Sequence, residues 1–212
     1  MIQSKIKKIV FLMACTVLLI KTSTANVDFA QSGIVLGVNA GYAKFVPFSK
    51  INGDINNGGI YGGGLLGYDY ALNPHFSLGI ETGINYGKNI ANFSSPTEKM
   101  NIDTLNVPIL ATFKFYIPQA NGLNIFTKHG VSFVYQMRDI SYPNRPYQTD
   151  SENTLKFNIF LSVIGVGWKI NNFNIFTQYE YFYGTNWNKV DKSLKILTLN
   201  TLTAGVTYTI PI

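Results

Sequence analysis

Three side chains in one short stretch have the types that hydrolytic chemistry uses. His75, Ser77 and Glu81 lie two and four residues apart, and every second residue of a strand faces the same way. An imidazole can take the proton of a serine hydroxyl, and a carboxylate can orient the imidazole. The spacing opposes that reading. Glu81 is about 13 Å beyond Ser77 along an extended chain, and His75 directly follows an Asn73-Pro74 turn. A turn-edge histidine, a small serine and a charged strand residue explain the three equally well, so no catalytic residue is assigned.

A second set is wider. Asp69, Glu81, Lys114, Lys128 and Glu180 are isolated charges in the middle of otherwise apolar segments. Buried charges persist only when paired and hydrogen-bonded. Five charges on the inner wall of one narrow barrel would form such a polar network. His129, in "TKHGVS", falls on the apolar face of its segment and has no neighbours with which to hold a metal. No His or Cys cluster, Gly-rich phosphate loop or pair of catalytic carboxylates appears. No metal or cofactor is expected.

The elements that must position these groups are strands. From Phe76 to Tyr86 every second residue is apolar apart from Thr82, and the residues between are small or polar. The alternation returns about eight times: 33–43, 59–71, 76–86, 103–116, 123–136, 155–170, 173–183 and 194–210. Pro108 falls on the polar face of the fourth segment, which predicts a bulge or local kink. The sixth changes phase, with Phe157, Ile159 and Leu161 in one phase and Ile164, Val166, Trp168 and Ile170 in the other. A bulge near Ser162–Gly165 reconciles them.

Ahead of the strands lies a segment of another kind. Lys5, Lys7 and Lys8 precede an apolar run, Ile9–Ile20, too short to span a membrane as a helix, and Ser23-Thr24-Ala25 offers a cleavage site. Residues 1–25 read as a signal peptide and 26–212 as the exported barrel. Cys15, in a loosely lipobox-like "LMAC", reads as part of the apolar run. The leader holds four of the 17 basic residues, leaving 13 against 11 acids, a net +2. Nucleic-acid binding therefore has no support, and the exported chain has no cysteine.

The connections alternate in length. Leu72–Pro74, Pro118–Gly122 and Asn171-Asn172 are short; 44–58, 88–101, 137–154 and 184–193 are longer and polar. Short turns at one end, long loops at the other and an even strand count describe an all-β, eight-stranded antiparallel up-and-down transmembrane β-barrel in a bacterial outer membrane. The apolar faces also end in aromatics, as membrane girdles do. In such a barrel the apolar face meets lipid; in a soluble lipocalin-like carrier it would point inward. The mature chain lacks that carrier's usual disulfides and its early Gly-x-Trp.

The stretches "GIVLGVNAGY", "NPHFSLGIETGINYG", "LNVPILATFKF" and "LTAGVTYTI" resemble the small outer-membrane barrels of the OmpA/OmpX/Opa surface-antigen superfamily. The resemblance covers nearly all of the exported chain. It implies a non-catalytic surface protein, structural or with adhesive or ligand-binding loops. Its partners would be outer-membrane lipid and lipopolysaccharide, the barrel-assembly machinery during insertion, and an extracellular ligand or host surface. The chain departs from the family in ending at Ile212 instead of an aromatic. His75-x-Ser77 with Glu81 also resembles the site of outer-membrane lipid A deacylases, the competing class. The third long loop is the most distinctive, with Arg138, Tyr142, Arg145 and Tyr147 as candidate contacts, since Tyr and Arg dominate binding hot spots. The first loop offers Phe45, Phe48 and Lys50.

Overall fold

A computed structural model describes residues 29–46, 54–97, 99–183 and 198–212. Residues 1–25, Phe48, Lys50 and the predicted loop 184–193 lie outside them. Every element among the described residues is a strand: β1 (Gly33–Val46), β2 (Asp54–Asn57), β3 (Gly59–Asn73), β4 (Phe76–Ser94), β5 (Lys99–Tyr116), β6 (Leu123–Tyr142), β7 (Arg145–Ile170), β8 (Phe173–Tyr183) and β9 (Thr198–Pro211). Neighbours pair antiparallel in the order β1-β3-β4-β5-β6-β7-β8-β9, and β9 returns to β1. This is a closed eight-stranded barrel. The short β2 extends β3 and pairs with the far end of β4.

The closure has a stagger. Partners followed around the ring run Gly33, Asp69, Gly79, Thr112, Lys128, Val163, Glu180, Thr201 and then Ala43, ten residues along β1 from the start. With strands about 4.8 Å apart and a rise of about 3.3 Å per residue, that shear corresponds to a tilt of about 40°. A barrel this narrow is filled by its own side chains.

The alternation is resolved with the apolar face outward. Ile80, Ile84, Ile109, Ile164 and Leu202 are each more than half exposed, while Asn39, Asp69, Glu81, Thr112, Lys114, Lys128 and Glu180 are buried. The soluble carrier, which needs the reverse, is thereby excluded. The outer aromatics form two belts. Tyr68, Tyr70, Phe113, Phe115, Phe173 and Tyr208 lie toward the short turns; Tyr42, Tyr86, Phe133, Tyr179 and Tyr181 lie toward the long connections, with aliphatics between. Such belts mark the two interfaces of a membrane.

Four expectations are corrected. First, the predicted loops 88–101 and 137–154 are mostly strand: β4 runs to Ser94 and β6 to Tyr142, each turning in a few residues. Beyond the lipid both faces of a strand meet water, so the alternation vanishes although the ladder continues. Second, the bulge in β7 lies at Ile159–Phe160, two residues opposite Val131, because Gly130 pairs Leu161 and Ser132 pairs Asn158. Leu161 therefore shares the inner face with Val163. Third, Pro108 shifts no register. The β4–β5 ladder lapses between Thr82↔Ile109 and Asn85↔Asn106 and resumes in step, with the Thr82 hydroxyl donating to the Pro108 carbonyl at 2.8 Å. Fourth, the inner wall is not only polar. Tyr61, Ile90, Ile102, Leu161, Phe182 and Leu199 form an apolar layer toward the long connections.

One further bulge sets the outer end. Lys88–Ile90 stand opposite Asp103 alone, and Asn89 takes φ 51°. Gly58, at φ 135°, breaks β2 from β3 beside it and donates its N–H to the Ile90 carbonyl at 2.8 Å. A side chain at Gly58 would also collide with the Tyr42 ring.

Candidate functional site

The lumen contains two ion pairs of the same design. Lys114 on β5 reaches Asp69 on β3 at 2.5 Å, across β4. Lys128 on β6 reaches Glu81 on β4 at 2.6 Å, across β5. Each lysine spans one intervening stave, and those staves present small residues there: Ser77 and Gly79 on β4, Thr112 on β5. A Cβ on Gly79 would meet the Tyr68 backbone carbonyl first, and would stand 2.5 Å from an Asp69 carboxylate oxygen and 2.7 Å from the Thr112 hydroxyl. The glycine therefore keeps both the β3 backbone and the Asp69 side chain clear where Lys114 crosses. Lys128 also lies 5.2 Å from the Phe126 ring centre and 5.6 Å from that of Phe176, so its charge has two aromatic faces besides its carboxylate.

Glu180 is not in either ion pair. It accepts a hydrogen bond from the Gln178 amide at 2.6 Å. Neutral bridges complete the wall. Asn39 donates to Asn85, Asn106 to the Tyr61 hydroxyl, and Asn124 to Asn174, while Ser132 donates to Asn106. Together with the apolar layer above, these groups fill the bore.

A sixth charge was missed in the sequence. Lys169 closes the turn-side mouth, donating to the Phe29 carbonyl at 2.7 Å and the Gln31 side-chain carbonyl at 3.0 Å. Phe29 stacks on Tyr116, the Ala30 N–H donates to the Pro74 carbonyl, and the Ser32 hydroxyl accepts from the Ala71 N–H. The segment before β1 thus folds under the barrel and is tied to it. Lys169 alternates with Trp168 and Ile170, so its inward phase was legible from the apolar phase of those neighbours, wherever the bulge lies.

The hydrolytic set does not assemble. Neither the His75 Nδ1 nor the Ser77 hydroxyl has a hydrogen-bond partner, and the Glu81 carboxylate is held by Lys128. His129 points outward, with the Thr127 hydroxyl at 2.7 Å from Nε2 and the Ser162 hydroxyl at 3.2 Å from Nδ1. No group of three His, Cys, Asp or Glu side chains able to hold a metal occurs among the described residues.

The candidate contacts of the third long connection fall in two places. Arg138 is not in a loop: it lies within β6, inward and buried at the outer mouth. Tyr142, Arg145 and Tyr147 lie at the tip of the β6–β7 hairpin, whose regular pairing runs out to Ser141↔Thr149 and, after a register shift, closes on Tyr142↔Arg145. Cross-links stiffen it. The Ser151 hydroxyl donates to Asp139 at 2.8 Å, the Tyr142 hydroxyl to Asp150 at 2.9 Å, and the Arg145 guanidinium to Gln148 at 3.3 Å. Tyr147 is wholly exposed.

Comparison with known proteins follows this geometry. A family described as outer membrane protein beta-barrel domain matches residues 26–186. Among solved structures, Neisserial surface protein A is similar at 13% identity and TM-score 0.50, over 84% of this chain and 98% of that one. The attachment invasion locus protein Ail of Yersinia pestis is similar at 16% identity and TM-score 0.48, over 85% and 99%. OprG of Pseudomonas aeruginosa is similar at 11% identity and TM-score 0.46, over 88% and 100%. No curated protein matches the chain.

Proposed function

Because the chain belongs to the outer membrane protein beta-barrel domain family and is a protein of the bacterial outer membrane, we propose that it is a non-catalytic surface barrel whose β6–β7 hairpin binds an extracellular ligand or host surface. The observation that carries this reading is the hairpin itself. It is paired far beyond the outer aromatic belt, cross-linked by side chains, and presents Tyr147 with no cover. A stiff tip loses little conformational freedom on binding. Tyrosine and arginine at that tip are the side chains that anchor interfaces.

The filled bore supports a structural or binding role over transport. On this reading residues 1–25 are a cleaved signal, and insertion uses the barrel-assembly machinery. The binding test displays the chain on a non-adherent bacterium and confirms insertion by heat-modifiable gel mobility. Attachment to cells and matrix proteins is then compared with that of a variant in which 142–148 are replaced by Asn-Gly, leaving the Ser141↔Thr149 pair and Arg138 in place. Attachment lost with the tip is the expected result. Equal attachment by both chains would remove the hairpin as the binding element.

A further inference from the structure

We propose that the lipid-facing wall of β5, β6 and β7 is the interface of a parallel homodimer, in which Thr127, His129 and Ser162 of one copy meet the same three side chains of the other. His129 is an exposed imidazole on a wall where Ile109, Phe113, Ile125 and Ile164 are the exposed apolar groups. Thr127 pairs with Phe113 of the turn-side aromatic belt, and Ser162 with Tyr181 of the outer one. His129, opposite Ser162, is four residues from Phe133 of the outer belt. At about 3.3 Å per residue and a tilt of about 40°, it lies about 10 Å deeper than that ring. The trio is therefore inside the hydrocarbon, where a polar group finds no water.

The hydrogen bonds within the trio do not use all of its protons. The Thr127 hydroxyl is 2.7 Å from Nε2 of His129 and the Ser162 hydroxyl 3.2 Å from Nδ1. A neutral imidazole has one N–H and one lone pair, and each hydroxyl carries one proton. One hydroxyl accepts from the ring and the other donates to it. Three protons thus make two bonds, and one hydroxyl proton is left over in either tautomer. Two other lipid-facing threonines at this depth differ. Thr82 donates to the Pro108 carbonyl at 2.8 Å and Thr177 to the Thr203 carbonyl at 3.2 Å, so each spends its proton inside its own barrel.

Acyl chains cannot accept the remaining proton, whereas a second copy can. Both copies insert with the long connections outward, so a two-fold axis between them runs along the membrane normal. Like residues then meet at like depth, which a chance neighbour would have to match. Each left-over proton reaches a hydroxyl oxygen of the other copy, and symmetry makes the two bonds equivalent. The surface permits the approach. His129 stands between Ala111 on β5 and Ser162 on β7, both small and exposed, so the ring of one copy fits over Ala111 of the other. Ile109 and Ile164, each more than half exposed, pack around the polar centre.

The exported chain has no cysteine, so single cysteines report the contact. A111C puts a thiol on this wall. A40C puts one on β1, on the opposite side of the ring and also between the belts. Each exported chain would be refolded into phosphatidylcholine vesicles, checked for insertion by heat-modifiable gel mobility and oxidised, and disulfide-linked dimers counted. The expected yield from A111C is at least tenfold that from A40C. Adding T127V/H129L/S162A to A111C lowers the yield about tenfold, and adding T82V/T177V leaves it unchanged. The proposal is overturned by equal yields from the two walls, by an undiminished yield with the triple replacement, or by an equal loss with T82V/T177V. Absence of any A111C dimer overturns it too, and would leave the trio to a different membrane protein. If the triple replacement fails to insert, T127V/S162A decides, with the same loss expected.

Discussion

Replacing Lys128 with methionine tests how the lumen is held together. The change keeps the length and most of the volume of the side chain while deleting its charge. In the native barrel that charge is 2.6 Å from Glu81, and both side chains are almost fully buried. Removing one member of a buried pair strands the other in a medium that cannot solvate it, at a cost of about 3–5 kcal/mol. The ammonium also stands over Phe126 and Phe176, and contacts of that kind contribute about 0.5–2 kcal/mol when desolvated. The loss should therefore fall toward the top of the range. Glu81→Gln gives the asymmetric control. It leaves Lys128 charged, yet still covered by two rings and able to bond the amide, so its cost should be about 1–2 kcal/mol smaller. The double replacement K128M/E81L leaves no buried charge at this pair and should recover most of the loss. Urea unfolding of the chain in lipid vesicles, followed by heat-modifiable gel mobility, measures all four proteins, and the double-mutant cycle isolates the pair. If K128M unfolds within about 1 kcal/mol of the wild type, or the double variant is less stable than both single ones, the account of the lumen as a paired ionic core is wrong.

Gly79→Ala should destabilise by about 1–3 kcal/mol, because its methyl would press on the Tyr68 backbone carbonyl and on the Asp69 carboxylate; the same unfolding assay reads it, and wild-type stability would show that β4 needs no such clearance there. Lys169→Ala should release the segment before β1, since two charged hydrogen bonds to Phe29 and Gln31 are lost. Hydrogen exchange at residues 29–32 in K169A, compared with the native chain, would be faster, and identical exchange would count against the tie. Planar-bilayer recording of the wild-type barrel should show no conductance steps, because ionic and apolar layers both cross the bore; regular steps would mean that the filling is mobile.

The sequence determined the architecture because a membrane imposes its own periodicity. Wherever one face of a strand meets lipid, the side chains must alternate, as Phe76 to Tyr86 do. Short turns and long connections then give the strand count and the orientation. The inward phase of Asp69, Glu81, Lys114, Lys128 and Glu180 follows from the same alternation. Where both faces meet water, as at Asp139–Tyr142 and Arg145–Ser151, the constraint disappears and a paired hairpin reads as a loop. The phase change in β7 was visible, but its position depended on which residue of β6 stands opposite, and Gly130 and Ser132 settled that only in the folded ladder.

Tertiary structure alone decided who pairs with whom. A shear of ten residues brings Lys114 past β4 to Asp69 and Lys128 past β5 to Glu81, while Glu180, equally charged and equally inward, is left to Gln178. Nothing in the local sequence of a strand encodes that offset, because it belongs to the closed ring.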